Sequence, residues 1–189
     1  MPLLTPALAL GLALSASASV SQPVICRPFI DFSSTEEFSR WRVVNDGVMG
    51  GLSSGAMRFE DGRVTYAGAI NTNGGGFSSI RRPVARGTLA KAVALRVTHE
   101  SDGRAYKLSL RSSARYRGRP ISFQAPIAAQ SDTAIVRFDD LRASFRGYSM
   151  GNVPFDRAAV DEIGLILADG RDGPFEMSMQ TIEICERAV

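Results

Sequence analysis

Apolar side chains recur at every second position in several separate stretches of this chain. Mostly polar residues stand between them, and the stretches are 64–70, 93–97, 106–110, 121–127, 134–138, 163–167 and 175–179. A period of two places successive side chains on opposite faces, as a half-buried strand requires. Helical patterns are sparse: a capped turn at 33–38 and a second short turn at 155–160. We therefore predict an all-β, antiparallel β-sandwich with one or two short helical turns.

Turn signals separate these stretches. Asp61-Gly62 and Asp102-Gly103 each stand between two predicted strands, which indicates hairpin turns. The segment 169–173 reads as a further hairpin before Pro174. The apolar parity changes between Met179 and Ile182, which predicts a bulge or bend in the last strand.

The first eighteen residues resemble an export signal. Residues 1–18 carry no charged side chain, contain an apolar run from Leu8 to Leu14, and end in Ala-Ser-Ala. No later stretch approaches the roughly 20 apolar residues of a membrane helix, so we expect no integral membrane segment after cleavage. We predict an exported protein, periplasmic or secreted, with one domain over 28–186. An uncleaved, loosely anchored form stays open, because no Lys or Arg precedes the apolar run.

The two cysteines, Cys26 and Cys185, stand at opposite ends of the predicted domain. In an exported protein this placement predicts one disulfide that joins the first and last strands. Closing so long a loop would restrict the unfolded chain by roughly 4 to 5 kcal/mol in the entropic description. In a reducing compartment both would instead be thiols.

The charge balance bears on possible partners. A net charge of +3, with basic residues scattered along the chain, predicts no nucleic-acid partner. Anion binding can be argued at one cluster, formed by Arg111, Arg115, Arg117 and Arg119 with Tyr116. We favour the plainer interpretation of this cluster, a solvated loop between strands.

Residues suited to catalysis are scarce. The single histidine, His99, occupies an alternating strand position, where a structural role is the commoner one. No spacing of His, Cys or carboxylates suggests a metal site, and we interpret Asp139-Asp140 and 169–172 as turns rather than calcium ligands. We predict a protein that is not an enzyme and uses no metal or cofactor. A hydrolase with a carboxylate pair remains a weaker alternative.

The segment 41–54, WRVVNDGVMGGLSS, combines the only tryptophan with an Asn-Asp pair and three glycines. Gly47, Gly50 and Gly51 permit tight turns and close backbone approach. Two interpretations stay open. The segment is a double bend whose apolar residues fill the core, or it is a rim loop that faces a ligand. The first interpretation buries Trp41, Val44, Val48 and Met49; the second exposes Asn45 and Asp46.

A second glycine-rich segment, 73–76, precedes a strand over 77–82 rather than a helix, which argues against a phosphate-binding loop. We predict that it lies against the first segment. The predicted binding residues are Trp41, Asn45, Asp46, Asn73 and Arg81, with Arg146 joining them. The predicted turn glycines are Gly47, Gly50, Gly51, Gly74, Gly75 and Gly76.

These two segments resemble the complex I intermediate-associated protein 30 family. Its members carry a Trp-Arg-x-Val-Asn-Asp-Gly-Val-Met-Gly-Gly-like segment and then a Gly-Phe-x-Ser-x-Arg segment, matched here at 41–51 and 76–81. Later stretches at 102–106, 138–147 and 163–175 resemble further family blocks. The resemblance implies a jelly-roll β-sandwich of the galactose-binding-domain-like kind. It also implies a chaperone-like role in assembly of respiratory complex I, on the matrix side of the mitochondrial membrane.

Two functions from different classes follow. The first is a non-enzymatic binding or assembly-factor module with a protein partner. The alternative is a carbohydrate-binding module in which Trp41, Tyr116 or Tyr148 stacks on a sugar ring. Burial of Trp41 would weaken this alternative.

Overall fold

The computed structural model describes residues 22–188, so the predicted signal segment 1–18 lies outside the described part. The elements, in chain order, are β1 Val24–Asp31, α1 Thr35–Ser39, β2 Arg42–Asn45, β3 Ser54–Glu60, β4 Arg63–Ile70, β5 Ser78–Pro83, β6 Ala92–Ser101, β7 Tyr106–Tyr116, β8 Arg119–Pro126, β9 Thr133–Arg137, β10 Arg142–Phe145, β11 Tyr148–Ser149, β12 Glu162–Leu167 and β13 Gly173–Arg187. Short 3-10 helices occupy Asp46–Met49 and Phe138–Asp140.

Two antiparallel sheets face each other across the core. The six-stranded sheet has the order β3-β4-β13-β6-β9, with β1 also paired to β13, and the seven-stranded sheet has the order β11-β10-β8-β7-β12-β5-β2. Alternate side chains from both sheets fill the space between them, as the period of two predicts. Aromatic rings pack in this layer: Tyr66 lies 4.9 Å and Tyr106 6.4 Å from Phe175, between ring centroids. The predicted antiparallel sandwich is confirmed.

Two local predictions hold in detail. Asp61 and Gly62 join β3 to β4 with φ angles of 50° and 70°, the pattern of a type I′ hairpin. In β13 the register with β6 shifts between Met179 and Thr181, which is the predicted bulge. Because of the bulge, β13 keeps apolar side chains facing the core both before and after it, although the alternation changes phase between Met179 and Thr181.

Two predicted hairpins are wrong. Asp102-Gly103 connects β6 to β7 and the segment 169–172 connects β12 to β13, and in both cases the two strands belong to different sheets. Each segment therefore crosses from one layer to the other instead of joining paired neighbours. An Asp-Gly turn signal reports a change of direction but not which strand the chain pairs with next.

One of the two predicted helical turns forms. Ser34 caps α1 by accepting a hydrogen bond from the Glu37 N–H at 3.3 Å. The segment 155–160 forms no helix; the Asp156 side chain accepts from the N–H groups of Ala158 and Ala159, at 3.0 and 3.3 Å, and makes a local turn instead. No helix among residues 22–188 is both long and apolar enough to cross a membrane.

The first and last strands are joined covalently. Cys26 and Cys185 form a disulfide at directly opposed positions of β1 and β13, with a sequence separation of 159 residues. The predicted bridge is confirmed. It fixes β1 to the longest strand of the six-stranded sheet.

Candidate functional site

Four connections between strands gather at one end of the sandwich. They join β2 to β3, β4 to β5, β6 to β7 and β12 to β13, and each passes from one sheet to the other. The backbone of Thr72 donates to the Asp172 carboxylate at 2.6 Å, which ties the second of these connections to the fourth. Both glycine-rich segments belong to this group, so they meet at one end of the molecule.

A buried carboxylate holds these two segments together. Asp46 is fully buried, and its carboxylate accepts four hydrogen bonds. Oδ1 accepts from the Ser53 N–H at 2.9 Å, and Oδ2 accepts from the Ser53 hydroxyl at 2.6 Å and the N–H groups of Gly76 and Phe77 at 2.6 and 3.2 Å. We call Asp46 with these donors the Asp46 clip. Its geometry satisfies backbone donors that would otherwise be orphaned inside the loops.

Steric crowding around the Asp46 carboxylate explains two of the glycines in these loops. A Cβ on Gly51 would lie 2.3 Å from the Asp46 Cγ, and a Cβ on Gly75 would lie 2.3 Å from Oδ2. Gly47, in contrast, has open space around it. Glycine at 51 and 75 therefore allows two backbones to close around one carboxylate.

Electrostatics favour the charged form of this carboxylate. Burial on its own raises the pKa of Asp46, but the hydrogen bonds from Ser53, Gly76 and Phe77 outweigh it, and the net pKa lies below the ordinary 3.8. Asp46 is therefore ionised at neutral pH. It is occupied by its own loops, so it does not present a free carboxylate to a ligand.

A buried ion pair fixes the other two connections. The Arg104 guanidinium makes a two-pronged contact with Asp169, at 3.0 Å from Nε and 2.7 Å from Nη2, and both side chains are nearly inaccessible. Nη1 also donates to the carbonyls of Gly173 and Pro174, each at 2.9 Å. Burial raises the pKa of Asp169, but the bonds from Arg104 outweigh it and lower the pKa below its usual value.

The pinned loop 46–53 exposes apolar side chains. Val48 is 75% exposed, Met49 49% and Leu52 65%, and we call these three the apolar lip. The expectation that Val48 and Met49 fill the core is wrong. The 3-10 helix at Asp46–Met49 turns its acidic residue inward, where the four donors lie, and this leaves the apolar residues outside.

An open groove of about 780 Å³ crosses the outer face of the seven-stranded sheet. Val48 and Met49 of the apolar lip form part of one wall, and the β10–β11 hairpin contributes Phe145, Arg146 and Gly147. Polar side chains of β7 and β8 lie between these walls, among them Ser109, Ser122 and Gln124. The groove is open, and polar side chains on its floor lie between apolar side chains at its walls.

Three guanidinium groups surround one glutamate in this face. Glu162 pairs with Arg111 at 3.0 Å, with Arg81 at 3.9 Å, and also with Arg42. Burial, followed by the nearby charge of Arg111, lowers the pKa of Arg81 to about 10, which leaves it cationic at neutral pH. One carboxylate cannot neutralise three cations, so the centre of the groove carries excess positive charge.

The structure separates the predicted binding residues. Trp41 is only 8% exposed; its ring lies 5.2 Å from that of Phe32, and its Nε1 donates to the Glu37 carboxylate at 3.0 Å. Trp41 is therefore a core residue and is not accessible to a sugar ring. Asp46 is buried in the clip.

The remaining predicted residues lie in three places. Asn45 is half-buried, accepting from the Ser78 hydroxyl at 2.5 Å and donating to the Gly55 carbonyl at 3.2 Å. Asn73 is exposed on its loop. Arg81 and Arg146 both line the groove, but at its centre and at the hairpin wall. The six predicted binding residues therefore do not converge on a single site.

Sequence reasoning missed most of the groove. Ser109, Ser122, Gln124 and Glu162 are the polar partners of apolar positions in alternating strands, so their pattern carries no sign of function. A signal for Arg111 and Arg119 was present in the arginine cluster. The approach of the β10–β11 hairpin to that cluster is a tertiary event with no local signal.

The described residues offer little for a catalytic or metal-binding interpretation. Within 22–188, no three of His, Cys, Asp or Glu converge on a possible metal position. His99 is 1% exposed, and burial lowers the pKa of its ring, so the ring is neutral at neutral pH. It lies in the core, away from the groove.

The two sheets and the loops that cross between them define an antiparallel β-sandwich. Among solved structures, similar folds include the family 11 carbohydrate-binding module of cellulosomal cellulase Lic26A-Cel5E of Clostridium thermocellum, at 15% identity and a TM-score of 0.65, over 88% of this chain and 96% of that one. The same bacterium's family 11 module in complex with a β-1,3-1,4-mixed-linked tetrasaccharide gives 15% identity and a TM-score of 0.62, over 84% and 94%. These likenesses establish the jelly-roll fold.

An agarase, AgWH50C, contains a similar fold at 9% identity and a TM-score of 0.53, with 87% of this chain aligned to 25% of the enzyme. A comparison with curated protein sequences finds no match. Residues 30–179 match the family described as Complex I intermediate-associated protein 30, and the chain belongs to that family. Both this family and the carbohydrate-binding modules are non-catalytic kinds of domain.

Proposed function

We propose that this chain is a non-catalytic, exported binding module that docks a segment of a protein partner in the groove. The observation that carries the proposal is the apolar lip, whose three exposed side chains stand on a loop fixed by the Asp46 clip. A rigid exposed apolar group beside a groove loses little conformational entropy on binding and buries its surface against a partner.

The lip chemistry favours protein over sugar. Sugar rings stack on flat aromatic faces. Of the three aromatic residues suggested for this role, Trp41 lies in the core, whereas Tyr116 and Tyr148 are exposed but do not line the groove. Aliphatic side chains and methionine adapt to the apolar side chains of another protein. Family membership also favours a protein partner, because the family is described by its association with an intermediate of complex I.

The partner lies in the compartment to which this chain is exported. Residues 1–18 have the features of an export signal, and the Cys26–Cys185 disulfide suits an oxidising compartment. We therefore propose an assembly-factor-like role in the cell envelope or outside the cell, with a partner that differs from the matrix-side intermediate of complex I.

Site-specific photo-crosslinking tests this proposal. A benzoylphenylalanine placed at Val48 should capture one protein in living cells, whereas the same group at Ile135 should not. Ile135 is a matched control, because it is 53% exposed and lies on the six-stranded sheet. The purified partner should then bind Val48→Asp/Met49→Asp at least about tenfold more weakly, from the loss of two apolar contacts, with Ile135→Asp unchanged.

Equal crosslinking at Val48 and Ile135, or unchanged affinity of the lip variant, would contradict the proposal. Thermal unfolding of both variants should match the wild type, which separates lost binding from lost folding.

A glycan ligand is the second candidate. The polar floor of the groove, with Ser109, Ser122 and Gln124, suits sugar hydroxyl groups. Binding on a glycan array that is lost in Gln124→Ala but insensitive to Val48→Asp would favour this candidate over a protein partner.

A further inference from the structure

The groove has an unbalanced charge. Its lining contains six basic side chains, Arg81, Lys107, Arg111, Arg119, Arg142 and Arg146. Only two acidic side chains, Asp140 and Glu162, face them. Glu162 is already shared between three arginines. The excess positive potential would attract an anionic ligand and speed its association.

Four of these cations, Lys107, Arg119, Arg142 and Arg146, have no acidic partner among residues 22–188, and Arg142 donates to the carbonyls of Asp139 and Leu141 instead. Arg119 begins β8 and Arg146 lies at the tip of the β10–β11 hairpin, so both stand at the same margin of the groove. A guanidinium in this state can offer its planar donors to a carboxylate of a ligand.

Arg146 occupies a backbone position that does not suit arginine. Arg146 and Gly147 have φ angles of 52° and 85°, and Arg117 and Gly118 in the adjacent β7–β8 hairpin have 48° and 73°. Such two-residue turns strongly prefer Asn-Gly or Asp-Gly, as Asp61-Gly62 shows elsewhere in this chain. An unfavourable residue in a turn is a reason to look for a function of its side chain.

Aromatic rings support the two hairpin arginines. The rings of Tyr116 and Phe145 meet edge to face at 5.0 Å. The Arg117 guanidinium lies 5.3 Å from the Tyr116 centroid, and that of Arg146 lies 5.8 Å from the Phe145 centroid. A guanidinium over a ring keeps its N–H edge free and loses rotamer freedom before binding.

We propose that Arg119 and Arg146 bind carboxylates of an extended acidic segment of the protein partner, whose apolar residues contact the apolar lip. This inference rests on the proposed function, since it assigns a chemistry to the segment in the groove. The two arginines select for acidic side chains, and the lip selects a protein over an acidic polysaccharide.

Fluorescence anisotropy with defined probes tests whether the groove prefers an acidic peptide that also carries apolar residues. The probe is a labelled peptide in which glutamate alternates with leucine, and the competitors are poly-L-glutamate, polygalacturonate and poly-L-lysine. Arg119→Gln/Arg146→Asn should weaken peptide binding at least about tenfold, because two charge-assisted contacts are lost. The variant should also bind with a weaker dependence on salt concentration.

Two controls isolate the site from net charge and from turn geometry. Arg58→Gln/Arg63→Gln removes the same charge from exposed strands of the six-stranded sheet and should leave peptide binding unchanged. Arg117→Asn makes the same turn substitution at a residue that does not line the groove. It should keep most of the affinity, and both asparagine variants should unfold at or above the wild-type temperature, since asparagine suits the turn.

Each outcome bears on one part of the proposal. Equal loss in the Arg58/Arg63 control, or no loss in Arg119→Gln/Arg146→Asn, overturns the assignment of these arginines. Tighter binding of polygalacturonate than of the peptide, with the same arginine dependence, overturns the protein segment in favour of an acidic polysaccharide.

The crosslinked partner separates this inference from the proposed function. If the partner captured at Val48 binds the Arg119/Arg146 variant as well as the wild type, this inference fails and the proposed function stands. If Val48 captures no partner while the peptide still binds through the arginines, the protein partner of the proposed function is refuted, and only the preference of these two arginines for carboxylates stands.

Discussion

Replacing Asp46 with asparagine should destabilise the whole sandwich although the change is nearly isosteric. The carboxylate accepts four hydrogen bonds, three of them at Oδ2. An asparagine that keeps its carbonyl at Oδ2 points its NH₂ group at the Ser53 N–H, so one bond is lost and a donor faces a donor. The other three bonds lose their charge assistance, which is roughly half of their strength.

Together these losses amount to about 3 kcal/mol, because bonds to charged groups contribute about 1.5 to 3 kcal/mol each and the loops relax in part. For a domain of this size we expect the melting temperature to fall by about 6 to 12 °C. Chemical denaturation followed by circular dichroism measures the free energy of unfolding directly. Asp61→Asn is the matched control, since this exposed turn residue should change stability by less than about 0.5 kcal/mol.

The pH dependence provides a second readout. The folded-state pKa of Asp46 is lowered, so its stabilisation is present above the ordinary value of 3.8 and is lost as the pH falls through the folded-state pKa. Wild-type stability should therefore decline more steeply under acid conditions than that of Asp46→Asn. A variant as stable as Asp61→Asn at neutral pH would refute the view that this carboxylate holds the two loops.

Three further perturbations probe the same framework. Gly75→Ala should cost about 1 to 3 kcal/mol in thermal unfolding, because its Cβ meets the fixed Asp46 carboxylate, whereas Gly47→Ala should be nearly neutral; equal effects would contradict the spatial explanation. Reducing Cys26–Cys185 should lower stability by up to about 5 kcal/mol in denaturant titration, and an unchanged midpoint would show that the reduced unfolded chain is already restricted. Arg104→Lys should lower the free energy of unfolding by about 3 kcal/mol, because an ammonium cannot reproduce the forked contacts with Asp169. An unchanged free energy of unfolding would show that this ion pair does not stabilise the fold.

The strands could be predicted from sequence because their signal is local. A period of two located most long strands, and the change of parity at Met179 located the bulge in β13. Sheet membership could not be predicted in the same way. Whether Asp102-Gly103 closes a hairpin or crosses between layers depends on which distant strand β7 pairs with, and that strand is β12, more than fifty positions later.

In the candidate site, too, the local features could be predicted from the sequence and the tertiary contacts could not. Glycine density correctly indicated that two segments approach each other, since close approach demands glycine wherever it occurs. The direction of Asp46 was not predictable, because two of the four hydrogen bonds that hold it inward come from Gly76 and Phe77 of another loop. Similarly, the arginine cluster in β7 and β8 was visible, but the hairpin that adds Arg146 reaches it only in the folded chain.

The antiparallel pairing of β1 with β13 has a practical consequence for work with this molecule. Val24 lies opposite Arg187, and the Ala188 N–H donates to the Pro23 carbonyl at 2.8 Å, so both ends of the described chain leave from one corner of the six-stranded sheet. Closely spaced ends can be fused without disturbing the layers between them. A circular permutant, or a sensor anchored to a surface at this corner, would keep the opposite sheet open to whatever approaches it.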